Sequence, residues 1–200
     1  MADAKITAVF IYKGVVFCRM GYKGTPLSSL NQDWETPPKL VEFIEDKFQV
    51  NFTLDAAATV DNAKAFSFIT AEEDALSCHW YSYGGAVWLN PPFGRGGKGQ
   101  RLFIQKAIEE TKSGRAKQVF CLIPARTDTK MFHEDILPNA SALFFIKSRI
   151  YYKRGADQQM CAPFPAMLVI FEHRTPKPLE TLLRNVFTLD IPIEDRRWFK

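Results

Sequence analysis

Residues 87–94 read Val-Trp-Leu-Asn-Pro-Pro-Phe-Gly, an apolar run that ends in an amide, two prolines, an aromatic ring and a glycine. The run from Ala86 to Leu89 is apolar without alternation, which predicts a strand buried on both faces. Proline cannot donate to a β-ladder, so the strand has to end at Asn90. Ligands of α/β sheets bind beyond the carboxyl ends of strands, and Asn90 is expected at such a position.

The segment that follows combines rigid acceptors with a ring. Pro91 and Pro92 fix the backbone, so that carbonyl oxygens can point outward beside the Asn90 amide. These oxygens can accept N–H bonds from a planar amino group, and Phe93 can cover the ring that carries it. The segment therefore predicts a site for a planar ligand with an amino function.

Asn90-Pro91-Pro92-Phe93 resembles the catalytic motif of amino-methyltransferases that use S-adenosylmethionine, and the wider chain resembles the phage-type DNA N-6-adenine methyltransferase (Dam) family. Four further segments carry this resemblance: residues 33–38 (Asp-Trp-Glu-Thr-Pro-Pro), 54–58 (Leu-Asp-Ala-Ala-Ala), 72–76 (Glu-Glu-Asp-Ala-Leu) with Trp80, and 124–128 (Pro-Ala-Arg-Thr-Asp). The resemblance implies methyl transfer from S-adenosylmethionine to N6 of a flipped adenine in DNA. It also implies that Asn90, Pro91, Pro92 and Phe93 are the catalytic residues.

Apolar runs predict strands over residues 52–55, 86–89, 118–123, 142–146 and 166–171. Strands separated by helices predict an α/β fold with a mainly parallel central sheet. The resemblance makes this a Rossmann-like methyltransferase fold with helices on both faces. Residues 31–200 are predicted to form a single methyltransferase domain, and residues 1–30 an N-terminal arm or hairpin with Gly14 in its turn. The arm is open to three interpretations: an edge ribbon, a dimer element or a DNA-contacting arm. Monomer and homodimer are both left open.

Composition and charge limit the possible classes of protein. A hydrophobic content of 46% over 200 residues suffices for a packed core. The formal net charge of +4 permits nucleic-acid binding without arguing for it. The cysteines are scattered, so reduced thiols and no metal site are expected. No segment suits a membrane or a signal peptide, which favours a cytoplasmic location. The resemblance implies that this is the cytoplasm of a bacterium or a phage-infected host cell.

The segment before the first helix has two interpretations. Thr36 fits an N-cap and Pro37 the first helical position, which makes the pair a plain helix start. The resemblance instead places Trp34, Thr36 and Pro37 against the methyl donor.

Two acidic residues are further candidates for cofactor binding. Asp55 ends an apolar run and precedes Ala56, whose small side chain lets a ligand approach the backbone. The resemblance places Asp55 near the methionine amino group of the donor and Asp74 near its adenine. The alternatives are an aspartate that caps a following helix and a solvated acidic face. No acidic residue ends the next strand, expected over residues 65–69, to hold the ribose.

Basic residues cluster near the predicted strand ends and are candidates for binding DNA. Residues 94–101 are expected to form a mobile loop that carries Arg95, Lys98 and Arg101, before a helix over residues 102–112. Arg126 and Arg149 each follow a predicted strand. The alternative is a flexible connection with incidental charge.

Other functions compete with DNA adenine methylation. The same chemistry could act on RNA or on a glutamine amide of a protein. A residue pattern without glycines after Asp55, and without a ribose carboxylate, also fits a catalytically degenerate relative that binds DNA.

Overall fold

The structure is a computed structural model that describes residues 5–12, 15–21, 34–92, 98–154, 158–173 and 185–191. Contacts divide the chain into two compact units, Met1–Leu30 and Asn31–Lys200. In the first unit, β1 (Lys5–Tyr12) pairs antiparallel with β2 (Val15–Gly21), as the predicted ribbon requires. The predicted turn at Gly14 lies outside the described residues. That the second unit is one methyltransferase domain stays a prediction.

The second unit contains one large sheet, a separate two-stranded ribbon and helices on either side of the sheet. Its elements in chain order are α1 (Pro38–Phe48), β3 (Phe52–Asp55), β4 (Ser67–Phe68), β5 (Ala86–Leu89), α2 (Lys98–Lys112), β6 (Gln118–Pro124), a π-helical segment (Met131–Ile136), α3 (Leu137–Asn139), β7 (Ala142–Lys147), β8 (Tyr151–Arg154), β9 (Gln158–Cys161), β10 (Ala166–Glu172) and β11 (Val186–Asp190). No helix in the described ranges has both the length and the apolar character that a bilayer span requires.

The large sheet has seven strands in the order β11-β7-β10-β6-β5-β3-β4. Neighbours pair in parallel except at β10, which runs antiparallel to both β6 and β7. All strands other than β10 therefore point the same way, and their carboxyl ends share one edge, here called the carboxyl edge. The ribbon of β8 and β9 lies in sequence between β7 and β10, so the chain leaves the sheet and returns to it at this edge.

Both faces of the sheet are covered, which explains why β5 is apolar at every position. Val87 and Leu89 share a buried cluster with Ile104 of α2. Trp88, which points to the other face, shares a second cluster with Leu40 of α1. A strand with neighbours on both sides and helices above and below has no solvent-facing position. The predicted α/β class, with a mostly parallel sheet between helices, is confirmed at this level.

The apolar runs located the strands well. Five strands predicted over residues 52–55, 86–89, 118–123, 142–146 and 166–171 are confirmed within one residue at each end. The strand expected over residues 65–69 is the shorter β4. Sequence patterns predicted neither the ribbon of β8 and β9, nor the π-helical segment, nor β11.

The predicted start of the second helix was wrong. The sequence placed Lys98 and Arg101 on a loop, but α2 begins at Lys98 and includes both residues. Gln100 is buried with Ile104 and Ala107, one helical turn apart, so the core-facing stripe extends into the residues assigned to the loop. This burial outweighs the helix-weakening effect of a glycine at position 99.

A buried carboxylate fixes α2 to the segment that leads into β5. Glu110 is fully buried and accepts hydrogen bonds from the Trp80 backbone N–H at 3.1 Å and from Arg115 Nε at 2.5 Å. Lys106 Nζ lies 2.8 Å from the same carboxylate. Burial would raise the pKa of Glu110, but the bonds from Arg115, Lys106 and Trp80 outweigh it and lower the pKa to about 2. Glu110 is therefore ionised at neutral pH.

We expect Glu110→Gln to destabilise the protein by about 3–5 kcal/mol at pH 7, because it leaves Lys106 and Arg115 without their buried partner. The lowered pKa stabilises the fold above the ordinary glutamate pKa, and this contribution is lost as the pH falls towards 2. Urea unfolding of both proteins should show a difference that shrinks below about pH 4. Glu109→Gln is the control, since Glu109 contacts the same Lys106 and Arg115 from an exposed position and should cost less than about 1 kcal/mol. Equal losses of stability in the two variants would contradict the conclusion that Glu110 is the buried partner of Lys106 and Arg115.

Candidate active site

A cavity of about 480 Å³ opens at the carboxyl ends of β3 and β5. Asp55 pairs in register with Trp88, two positions before Asn90, so the parallel pairing brings the ends of both strands to one place. The lining comes from the segment before α1, the turn after β3, the turn after β4, the end of β5 and α2: Trp34, Glu35, Thr36, Asp55, Ala56, Ala57, Ala58, Thr59, Asn62, Lys64, Ile69, Thr70, Ala71, Asp74, Ala75, Trp88, Asn90, Pro91, Pro92 and Phe103. The predicted catalytic and cofactor residues that the structure describes thus meet in one cavity, apart from Pro37.

The side-chain amide of Asn90 is held in one orientation. Its nitrogen Nδ2 donates to the backbone carbonyl of Trp34 at 2.6 Å. A carbonyl oxygen can only accept, so the atom that faces it is the nitrogen and not the oxygen Oδ1. Within the described part of the chain, no donor is bonded to Oδ1, which leaves this oxygen available to a ligand.

The two prolines continue the cavity wall beyond Asn90. Pro91 is buried and Pro92 is exposed, and both line the cavity. Neither has an N–H, so their backbone offers a ligand only carbonyl acceptors. Phe93 and Arg95 lie outside the described residues, and their predicted roles stay predictions.

Thr36 does not cap the first helix, which corrects the plain interpretation of its position. The helix begins at Pro38, its N-cap residue is Pro37, and no side chain caps it. Thr36 is 3% exposed, lines the cavity, and its Oγ1 has no hydrogen-bond partner. A buried hydroxyl without a partner costs about 1–3 kcal/mol, so it needs another explanation, which a polar ligand would provide. Pro37 is buried but does not line the cavity.

Asp55 is a buried carboxylate at the end of β3. One oxygen accepts the Ala57 backbone N–H at 3.2 Å and the other accepts that of Lys64 at 3.0 Å. Burial raises the pKa of Asp55 to about 6, against the lowering effect of these two bonds. The residues after β3 form turns instead of a helix, so the alternative that Asp55 caps a helix is wrong. Ala56 is also buried and its N–H donates to the Trp88 carbonyl at 3.0 Å.

The turn after β4 brings Asp74 to the cavity. Thr70 and Glu73 exchange hydrogen bonds in the manner of a capping box, although turns and not a helix follow. Asp74 itself is exposed, has a left-handed backbone with φ of 54°, and accepts bonds from Ser77 Oγ and the Leu76 N–H. These bonds, that of Ser77 first, lower its pKa, so Asp74 is an ionised acceptor on the cavity wall. A contact with the adenine of a cofactor stays a prediction.

The predicted DNA-binding cations fall into two groups. Arg126 and Arg149 follow β6 and β7 at the carboxyl edge, the same edge as Asn90, and neither forms an ion pair with a described residue. Arg101 differs, because its guanidinium bonds to Asp135 at 2.6 Å and to Glu134 at 2.7 Å. A phosphate would have to compete with these carboxylates, so Arg101 connects α2 to the π-helical segment. The side chain of Lys98 lies outside the described residues.

Two features of the site escaped the sequence patterns, and so did one buried amide, Gln100, which does not line the cavity. The Trp34 carbonyl is a backbone group, which no residue pattern reveals. The Lys64 N–H reaches Asp55 from nine residues away in an irregular turn. Gln100 is buried at the start of α2, and its Nε2 has no partner. Among the described residues, no group of three or more His, Cys, Asp or Glu side chains could hold a metal ion.

Comparison with known proteins identifies similar sequences. A family model described as DNA N-6-adenine-methyltransferase (Dam) matches residues 24–187. A DNA N-6-adenine-methyltransferase of Escherichia phage T1 is 32% identical over 128 residues, which are 64% of this chain and 50% of the phage T1 protein. A DNA N-6-adenine-methyltransferase of Haemophilus phage HP1 (strain HP1c1) is 28% identical over 145 residues, 72% of this chain and 80% of the phage HP1 protein. The chain thus spans about half the length of the first relative and most of the second.

The raised pKa of Asp55 predicts a stability that depends on pH. Below the ordinary aspartate pKa the carboxyl is neutral in both states, and its contribution to stability is lost as the pH rises through the folded-state pKa of about 6. The free energy of unfolding of the ligand-free protein, relative to Asp55→Asn, should therefore fall by about 2–2.5 kcal/mol between pH 4 and pH 7. Carbon-13 NMR of the Asp55 carboxyl should titrate near pH 6. A midpoint near the ordinary value of 3.8 would show that burial does not control this group.

Proposed function

Because the chain belongs to the DNA N-6-adenine-methyltransferase (Dam) family, we propose that it transfers a methyl group from S-adenosylmethionine to N6 of adenine in DNA. The carrying observation is one cavity lined by an oriented amide, Asn90, by a buried carboxylate, Asp55, and by an unpaired hydroxyl, Thr36. The fold supports the proposal, since a mostly parallel sheet with one reversed strand suits a Rossmann-like methyltransferase domain. DNA as substrate would place the enzyme in the cytoplasm of a bacterium or a phage-infected cell.

The residues of the cavity fit S-adenosylmethionine. Sites for small molecules commonly have roughly 300–1,000 Å³, and this one has about 480 Å³. Asp55 would hold the amino group of the methionine part. This group is a cation, and a cation stabilises the ionised form of a buried carboxylate. Thr36 and the small Ala56 would lie beside the cofactor. Asp74 would accept a hydrogen bond from the amine of the cofactor adenine. When bound, the cofactor supplies a methyl group on a positively charged sulfur.

Asn90 and Pro91 would prepare the acceptor nitrogen. The lone pair of adenine N6 is delocalised into the ring, which makes the nitrogen a poor nucleophile. The Asn90 Oδ1 and the Pro91 carbonyl can each accept a hydrogen bond from one N6–H, and this pair of bonds favours a pyramidal nitrogen with an exposed lone pair. Because Trp34 fixes the Asn90 nitrogen, the oxygen is already oriented before the substrate arrives.

The same oxygens would stabilise the charge that develops during transfer. The N6 nitrogen becomes positive as it attacks, and fixed oxygen dipoles favour that charge. Asn90 is neutral, so it acts as an acceptor and not as a base. The proton can leave later to water.

The target base has to leave the duplex to reach the cavity. Extruding a base costs a few kcal/mol, which stacking can offset. Phe93 would supply the stacking face, worth about 1–3 kcal/mol on the scale of aromatic contacts with bases. Arg126 and Arg149, at the same edge, would contact the phosphates.

The decisive experiment is methylome sequencing of DNA from cells that express the protein. We expect N6-methyladenine in a defined sequence context, absent from cells that express Asn90→Ala. To test the other possible acceptors, labelled S-adenosylmethionine is incubated with the protein and with DNA, RNA or protein separately. Label in RNA or in protein glutamine, and none in DNA, would refute the proposal. No calorimetric binding of S-adenosylmethionine would indicate a catalytically degenerate relative instead.

Asn90→Ala should lower the turnover number at least about a hundredfold to a thousandfold, because it removes an oriented acceptor. The dissociation constant of S-adenosylmethionine should change by less than about threefold, since Asn90 acts on the base. The control is Asn185→Ala, because Asn185 also donates Nδ2 to a carbonyl, that of Ser141, but precedes β11 at the opposite edge of the sheet. Parallel loss of cofactor binding and turnover in Asn90→Ala would argue against this role.

The affinity for S-adenosylmethionine should depend on the ionisation of Asp55. With a pKa of about 6, the carboxylate that would hold the amino group is mostly ionised at pH 7 and mostly neutral at pH 5. Calorimetry should therefore show binding weakened about tenfold from pH 7 to pH 5. Asp55→Asn should bind weakly at both values and show no such dependence. A wild-type affinity that is constant over this pH range would contradict the proposal that Asp55 binds the amino group of the cofactor.

A further inference from the structure

Three aromatic rings, those of Trp34, Tyr152 and Phe164, pack against one another. Trp34 packs edge-on against Tyr152 with ring centroids 5.6 Å apart and against Phe164 at 5.5 Å. Tyr152 and Phe164 complete the triangle at 6.2 Å. The rings are 9%, 1% and 5% exposed, respectively, so all three belong to the core.

These rings come from distant parts of the chain. Trp34 precedes α1, Tyr152 lies on β8 of the ribbon, and Phe164 lies in the loop that leads into β10. Tyr152 and Phe164 do not line the cavity, and a contact with a substrate there is not part of their role. Both rings instead pack against the Trp34 side chain.

The position of Trp34 matters because its backbone carbonyl holds the Asn90 amide at 2.6 Å. The terminal torsion of an asparagine is broad, so packing alone does not select one orientation of the amide. A single hydrogen bond contributes about 0.5–1.5 kcal/mol, enough to favour one orientation only while its acceptor stays in place.

We propose that Tyr152 and Phe164 are positioning residues, which hold the Trp34 carbonyl and through it orient the Asn90 oxygen towards the substrate amine. The catalytic consequence rests on the function proposed above. The positioning itself does not, because it concerns contacts within the ligand-free protein. A misplacement of about 1 Å at a reacting group can cost a hundredfold in rate, so loss of the rings should be visible in turnover.

The test uses Tyr152→Leu and Phe164→Leu, with Phe48→Leu as the matched control. Phe48 belongs to the same side of the core and packs edge-on against two rings, Phe120 at 5.5 Å and Phe144 at 4.9 Å. Among the ring contacts of the described residues, it has none with Trp34. All three substitutions remove an aromatic ring from comparable contacts. Tyr152→Phe keeps the ring and should behave as wild type.

The direct measurement is the side-chain NH₂ signal of Asn90 in the ¹H–¹⁵N spectrum of the full-length, ligand-free protein, assigned by its loss in Asn90→Ala. In Tyr152→Leu and Phe164→Leu we expect this signal to shift and its protons to exchange faster with water. In Phe48→Leu and Tyr152→Phe it should stay at the wild-type position. Unchanged Asn90 signals in both test variants, or equal changes in Phe48→Leu, would overturn the proposal. If one test variant fails to fold, the other decides.

Kinetics supply the second readout. Tyr152→Leu should lower the turnover number about tenfold or more, with the KM for DNA and the affinity for S-adenosylmethionine within about threefold of wild type. A merely structural loss would lower the fraction of folded protein, which the Phe48→Leu control measures, and not the rate per folded molecule. If the protein methylates no DNA, the proposed function fails, but the NMR result still decides whether the rings orient Asn90.

Discussion

The Asn90 amide depends on one acceptor, the backbone carbonyl of Trp34. An amide has a donor end and an acceptor end that are nearly equal in size, so shape alone cannot decide which end faces a ligand. A carbonyl on one side decides it, because only the nitrogen can donate. The segment before α1, the end of β5 and the aromatic rings from β8 and the loop before β10 all converge on this bond. The fold can be understood as the means by which these distant pieces meet.

The parallel sheet supplies the meeting point. Parallel pairing places the ends of neighbouring strands at one edge, so that Asp55 and Asn90 share a cavity although they lie 35 residues apart in the sequence. β10, the only strand of the large sheet that runs the other way among the described residues, brings its starting end to the same edge. Its approach loop can therefore place Phe164 against Trp34. If β10 ran parallel to its neighbours, the loop before it, which carries Phe164, would lie at the opposite edge of the sheet. The reversed direction of β10 therefore makes the contact between Phe164 and Trp34 possible.

The sequence predicted the parts of the site that depend on side-chain type at a strand end. Asn90 and Asp55 follow apolar runs, and the runs located β3 and β5 within one residue. What failed depends on long-range burial. Arg101 looks like a free cation in the sequence, but the π-helical segment brings Asp135 and Glu134 to it. Thr36 has the residue type of an N-cap, yet the helix starts at Pro38 and the threonine is buried in the cavity wall. Local preference did not decide either position, because tertiary contacts outweighed it.

The same burial explains why the site destabilises the protein when no ligand is bound. An ionised Asp55 is unfavourable in its buried position, as its raised pKa indicates, and the Thr36 hydroxyl has no partner. Each feature lowers the stability of the ligand-free protein at neutral pH. A ligand that carries a cation and a hydrogen-bonding group would relieve both at once, and binding that is specific to the folded state stabilises it further. A chain that kept this fold only as a scaffold would gain stability by replacing Thr36 with an apolar residue of similar size, and it would have no use for a buried negative charge at Asp55. Their presence together in one cavity is therefore the physical reason to treat the cavity as a working site.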